Sequence, residues 1–284
     1  MKRRNFSTDT VKNYVNGLKQ FLVWVDVPVE QVDYAKVLAY IDFQLDRRLK
    51  PKTINCHLSR IRLFYDFLRH EQGLEIDNPV KRGLCLRMAR PLPKHLKDEQ
   101  ADRLLAVVDK PRDRALFMLM LRSGLRVAEL AQLTFEAVDF RRGRLWIRAG
   151  KGNKDRVVYV SPDAMRALVD YIRCRPKSRV KRIFLVEKGP HRGEPLSVRG
   201  IQKRMEYYAR KAGLASSCHH LRHTMATQML NAGAELSTIQ DLLGHRCVTT
   251  TQQYCKVSNL KVQKDYYEAM EKVMNRTGSK PSSR

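Results

Sequence analysis

The sequence predicts a mainly α-helical chain with one small antiparallel sheet, an α+β fold in two parts. An all-helical segment spans 1–90 and a mixed α/β segment spans 91–275, with 276–284 as a disordered tail. Three observations predict this. Apolar residues recur at i, i+3, i+4 and i+7 through the first ninety positions, the signature of buried helical stripes. One stretch, 142–160, changes to a period of two around the tight turn sequence GKGNK. Between the two parts, RMARPLPKHL at 87–96 carries two prolines and neither period, which reads as a linker.

The elements follow in order. Ser7 or Thr8 can cap a first helix whose stripe is Val11, Tyr14, Val15, Leu18, Phe21 and Leu22. A second helix is expected over 29–46. A third follows Pro51, with Ile54, Leu58, Ile61, Phe64, Tyr65 and Leu68 on one face. Lys52, Arg60 and Arg62 fall off that stripe and are candidates for phosphate contact. DNPVKRG then breaks the pattern. Beyond the linker, LKDEQADRLLAVV predicts an amphipathic helix. RDRALFMLMLRSGLRVAELAQL predicts a largely apolar helix, a Ser-Gly break and a further helix from about Val127. Leu145 and Ile147 alternate with Trp146 and Arg148, and RVVYV answers them across the turn, which predicts a β-hairpin with a basic tip. RIFLV at 182–186 is expected as a third strand. From Ser197 the chain returns to helices.

Composition narrows the function. The chain has 284 residues, 43% of them apolar, enough for a real core. It carries 55 Lys and Arg against 29 Asp and Glu, a formal charge of +26. A field of that sign attracts polyanions, so nucleic acid is the expected partner. The apolar run FLVWVDVPV is interrupted by Asp26 and Pro28 and falls short of the roughly 20 residues a membrane span needs. No apolar core of a signal peptide follows the basic start, so a cytoplasmic, nucleoid-associated protein is expected. The six cysteines form no C-x-x-C pair and read as reduced structural thiols.

The stretch HHLRH at 219–223 raises a sharper question. His219 and His223 share a helix face, as in a zinc protease. That motif needs Glu at its second position, and here His220 stands there with Arg222 beside it. A cation is a poor neighbour for a metal and a good one for a phosphate, so no metal is expected. Phosphoryl transfer needs a nucleophile, fixed cations around the phosphate and a proton for the leaving oxygen.

Four stretches stand in this order along the chain: SGLRVAEL, GKGNKDR, HHLRHTMAT and LLGHRCVTTTQQY. Together they resemble the boxes of the tyrosine recombinases of the phage integrase family, over about 96–275. KPKTINCHLSRIRLFYDFL and NPV resemble the family's N-terminal core-binding domain less specifically. The resemblance implies a clamp around DNA and a set of roles. Tyr254 would be the nucleophile, leaving a 3′-phosphotyrosine and a free 5′-hydroxyl. Arg126 and Arg222 would grip the phosphate, with His245 as a third donor and Glu129 as a supporting acid. His219 would move the proton at the tyrosine, and Lys151 would protonate the leaving oxygen. His220 and His223 read as structural, and Lys154 and Arg156 as further DNA contacts. No cofactor is implied, because the ester keeps the bond energy. The family works as a homo-tetramer on two duplexes bearing inverted-repeat core sites, through a Holliday junction, in some cases with a second recombinase or accessory protein. Its C-terminal segment, here NLKVQKDYYEAMEKVM, docks on a neighbour. Met225, Cys247 and Lys256 depart from the usual pattern, where Phe, Ser and His are common. The expected role is replicon dimer resolution or mobile-element integration and excision. The alternatives are a catalytically silent DNA-binding regulator, a type IB topoisomerase, or a zinc hydrolase built on His219 and His223.

Overall fold

The computed structural model describes residues 8–88, 94–148, 155–244, 266–268 and 270–271. The chain divides into two compact units, Met1–Pro91 and Leu92–Arg284.

The first unit is helical: α1 (Thr8–Val25), α2 (Tyr34–Asp46) and α3 (Pro51–Glu71). Its core is aromatic. Phe21, Tyr40, Ile54, Ile61 and Tyr65 are buried, and the Phe21 and Tyr40 rings meet edge-on at 5.0 Å. The buried hydroxyls find partners, Tyr40 at His57 Nδ1 (2.9 Å) and Tyr65 at the Val29 carbonyl (2.9 Å). The stripe expected on α1 holds at Phe21, but Val15 is 42% exposed. The helix expected over 29–46 starts later. Val29–Gln31 forms a single 3-10 turn, and Asp33 caps α2 by accepting the Lys36 N–H at 2.9 Å in an extended conformation.

The second unit contains α4 (Asp98–Ala106), α5 (Pro111–Ser123), α6 (Val127–Gln132), β1 (Val138–Asp139), β2 (Arg144–Ile147), β3 (Arg156–Tyr159), α7 (Pro162–Cys174), α8 (Val198–Lys211), α9 (Cys218–Asn231) and α10 (Leu236–Leu243). Every residue of α5 from Ala115 to Leu121 is buried, so this helix is the unit's axis, packed by α7, α8 and α9. The sheet is antiparallel in the order β1-β2-β3. Its register pairs Leu145 with Val158 and Ile147 with Arg156 on the inner face, and Trp146 with Val157 on the outer face.

Two expectations are corrected here. RIFLV is not the third strand of the sheet; β1 is. Ile183, Phe184 and Leu185 are buried, but they make only isolated bridges, Thr134 with Arg182 and Leu185 with Pro195. A ladder cannot continue through Pro195, which has no N–H. The helix α7 was not expected at all, although Pro162 opens it and Ala164, Ala167, Leu168 and Tyr171 are buried at helical spacing. The basic stretch 173–182 is partly structural: Arg175 donates to the carbonyls of Val180, Arg182 and Ile183 at 2.7–2.8 Å. No helix among the described residues is long and apolar enough to cross a membrane.

Candidate phosphate-transfer site

α6 begins where its sequence says it should. Arg126 is the N-cap, in extended conformation, and Glu129 three residues on reaches back to accept the Arg126 N–H at 2.8 Å. Glu129 also accepts Nη1 of Arg126 at 2.9 Å. From β3, Arg156 closes on the same carboxylate with both terminal nitrogens, Nη1 to Oε1 and Nη2 to Oε2, each at 2.8 Å. Burial alone would raise the Glu129 carboxyl. Its hydrogen bonds to Arg156 and to Arg126 outweigh that and hold it below the usual carboxylate range.

The break between α5 and α6 is built on Gly124, which ends α5 at φ +63. A Cβ there would lie 2.9 Å from Leu243 Cδ2 and 3.1 Å from Met225 Sδ. Glycine is therefore needed twice, for the left-handed backbone and for the approach of α9 and α10. Met225 is the methionine that departs from the family pattern, and it fills this contact.

HHLRH does lie on a helix, α9. His219 is exposed and Arg222 is buried, with 4% of its surface accessible. The Arg222 guanidinium passes between the helix breaks, donating through Nη1 to the Gly124 carbonyl and through Nη2 to the Leu243 carbonyl. The His219 and His223 rings are 6.2 Å apart. Burial first, then the nearby His219, His220, Arg222 and His95, push His223 down to about 4, so it is neutral at pH 7. His220 is lowered too, chiefly by burial.

These pieces converge on the last turn of α10. Arg156 donates through Nε to the Leu242 carbonyl at 2.9 Å, Arg222 to the Leu243 carbonyl, and Arg126 through Nη2 to the Gly244 carbonyl at 3.1 Å. The carbonyls that end a helix have no partner within it and carry partial negative charge. Here three consecutive ones are each met by a different arginine. Among the described residues the three guanidiniums share one carboxylate, Glu129, which pairs with Arg126 and Arg156, so the cluster keeps an excess of positive charge. A phosphate is the anion whose shape and charge suit it.

Other expected residues lie elsewhere or outside the described residues. Lys151, Lys154, His245 and Tyr254 are outside, as are the hairpin tip and the tail 276–284. So is most of NLKVQKDYYEAMEKVM, of which Tyr266, Tyr267 and Met270 are described as helical and exposed. In the first unit, Lys52 is exposed on the opening turn of α3. Arg62 is held by the carbonyls of Val80 (3.3 Å) and Lys81 (2.8 Å), and Arg60 lies over the Tyr14 ring at 5.9 Å. The role of Arg156 at Glu129 and α10 was not foreseen, because RVVYV is apolar in both phases and does not show which face of β3 turns inward. Among the described residues no group of three His, Cys, Asp or Glu is placed to hold a metal ion.

The family model described as the phage integrase family matches residues 94–261, and its N-terminal SAM-like domain matches 1–72. The chain belongs to the phage integrase family. This integrase is 33% identical over 262 residues to the tyrosine recombinase XerC of Thermodesulfovibrio yellowstonii, covering 88% of this chain and 86% of that one. It is 32% identical over 274 residues to the tyrosine recombinase XerA of Thermococcus kodakarensis, covering 94% and 92%. Among solved structures, a XerA recombinase crystal structure matches at TM-score 0.57 and 25% identity, over 95% of each chain. The fold also matches the Tn1549 transposon integrase in complex with transposon right end DNA, at TM-score 0.73 and 18% identity, covering 89% and 90%. The integrase is thus a tyrosine recombinase, an enzyme of site-specific recombination, and the reading as a silent regulator is not favoured.

Proposed function

We propose that this integrase cleaves and rejoins DNA strands at a specific core site through a covalent 3′-phosphotyrosine on Tyr254. The convergence of Arg126 and Arg222 at the end of α10, one position before His245, carries the reading. Their guanidiniums bind the two non-bridging oxygens of the scissile phosphate, and His245 adds a third donor. A tyrosine hydroxyl has a pKa near 10 and needs help losing its proton, which His219, exposed on α9, takes up. Lys151, between β2 and β3 in the sequence, gives a proton to the leaving 5′-oxygen. Glu129 holds Arg126 in place. As the tyrosyl O–P bond forms, the P–O5′ bond breaks; rejoining reverses both.

DNA is the partner, as it is for the integrase structures the fold resembles. Lys52 sits at the N-terminal end of α3, where helix polarity adds to its charge and favours a phosphate. Arg60 and Arg62 line the same helix. Inverted-repeat core sites, a homo-tetramer on two duplexes, a Holliday-junction intermediate and a nucleoid location complete the proposal. The biological outcome is dimer resolution or element integration and excision.

Nicked suicide duplexes, prepared as a fragment pool of source DNA, test this. Wild type is expected to yield a protein–DNA adduct on a denaturing gel and Tyr254→Phe none. An adduct that survives Tyr254→Phe would name a different nucleophile. No adduct with wild type, despite tight DNA binding, would remove the strand-cleavage reading.

A further inference from the structure

We propose that Arg156 is a positioning residue of the cleavage step, holding Glu129, Arg126 and the last turn of α10 in one geometry. The inference rests on the strand-cleavage reading above and adds a residue to its machinery.

The hairpin register decides which way Arg156 faces. It stands opposite Ile147, on the inner face with Leu145 and Val158, which are both fully buried. Its side chain is 8% exposed. An arginine turned inward costs desolvation unless its donors are met, and here three are. Nη1 and Nη2 take the two oxygens of Glu129, and Nε takes the Leu242 carbonyl. Two N–H groups of the five remain, on a side chain nearly closed to solvent. Its fork on Glu129 and its Nε on α10 make it a residue that fixes a carboxylate and a helix end together.

Glu129 Oε1 receives Arg156 Nη1 and Arg126 Nη1, while Oε2 receives Arg156 Nη2 and the Arg126 backbone N–H. Four donors match the roughly four lone-pair sites of a carboxylate. Removing Arg156 empties half of them in a site that is 12% exposed, and frees Glu129 to rotate away from Arg126. Arg126 in turn holds the Gly244 carbonyl, two residues from the carbonyl that Arg156 holds. The two cations therefore hold α10's end at two carbonyls. Gly244 itself has φ +61, and a Cβ on it would stand 3.1 Å from Arg156 Cδ, so the arginine crosses directly over this turn. The next residue is His245.

The fork matters as well as the charge. A lysine ammonium cannot reach both carboxylate oxygens and a carbonyl in one plane. The test uses the full chain with Arg156→Lys, Glu129→Gln and the double variant. Three quantities are read: DNA half-saturation with its salt dependence, the single-turnover adduct rate at saturating DNA, and the unfolding temperature. The expected result for Arg156→Lys is unchanged half-saturation and salt slope, with the saturated rate down about 10–100-fold in protein still folded at the assay temperature. The double variant is expected to lose no more than the worse single variant, because both act through Glu129. A salt slope reduced by about one, with the saturated rate kept, would make Arg156 a phosphate contact and overturn the proposal. Fully additive losses, or a wild-type saturated rate in the folded variant, would overturn it too. A wild type that forms no adduct removes the cleavage reading and this role with it. A wild type that cleaves beside an Arg156→Lys that cleaves equally removes this role alone.

Discussion

Arg126 and Arg222 donate to adjacent carbonyls, Arg126 to Gly244 and Arg222 to Leu243. They come from different helices, one at the N-cap of α6 and the other inside α9. The end of α10 is what brings them together, so the site's charge and its fold depend on the same few atoms.

Arg222→Ala is expected to damage both. The Gly124 and Leu243 carbonyls lose a buried donor, and an unsatisfied buried acceptor costs about 1–3 kcal/mol. Urea unfolding should report a loss of that order. The cleavage rate should fall about 100-fold or more beyond what the unfolded fraction explains, as removal of a transition-state donor does. A stability loss with cleavage intact would make Arg222 a structural residue only.

Gly124→Ala separates strain from crowding. Placing a Cβ on a left-handed backbone costs about 1–2 kcal/mol. At Gly124 the new carbon also meets Leu243 and Met225, whereas at Gly213 (φ +66) nothing lies within 4 Å. Gly124→Ala should therefore destabilise by about 1–3 kcal/mol more than Gly213→Ala in matched denaturant titrations. Equal losses would mean that the approach of α10 to Gly124 is looser than described.

Stability should depend on pH through His223. Burial, with His219, His220, Arg222 and His95 around it, lowers its folded pKa to about 4 from an ordinary 6.5. Between those values the unfolded chain binds the proton and the folded chain does not. Stability therefore rises with pH across about 4 to 6.5 and falls as the solution is acidified, by at most roughly 1.4 kcal/mol per unit. His223→Gln should flatten this part of the profile, read as unfolding temperature against pH. An unchanged slope would place the titration elsewhere.

A second buried ion cluster joins α5 to α8. Asp113 is fully buried and is met by Arg112 at 2.8 Å and Arg204 at 2.8 Å. Asp113→Ala leaves Arg112, 8% exposed, without its nearest carboxylate. A loss of about 3–5 kcal/mol is expected from calorimetry. Adduct formation by the fraction still folded should be unchanged.

The sequence made some of this legible and hid the rest for identifiable reasons. The helix stripes and the hairpin follow from periodicity, and R-V-A-E announces both the α6 cap and its Glu129. The strand β1 is two residues long and has no period to read, so RIFLV looked like the better third strand. The inward face of β3 was ambiguous because RVVYV is apolar in both phases. What selects the phase is Glu129, which meets Arg156 across 27 residues. Arg126, Arg222 and Glu129 could be named from their boxes. The carbonyls of Leu242, Leu243 and Gly244 could not, because a backbone acceptor leaves no mark on residue type.

Charge replacement at the scissile phosphate distinguishes an Arg126 that binds the phosphate from one that only shapes the fold. A suicide duplex with a neutral methylphosphonate at that position would be compared with the ordinary phosphate, using wild type and Arg126→Ala. If the arginines act by neutralising phosphate charge, Arg126→Ala should be strongly impaired on the phosphate and recover most of its relative cleavage rate on the neutral linkage. An equal deficit on both substrates would contradict the account and reduce Arg126 to a residue that shapes the fold.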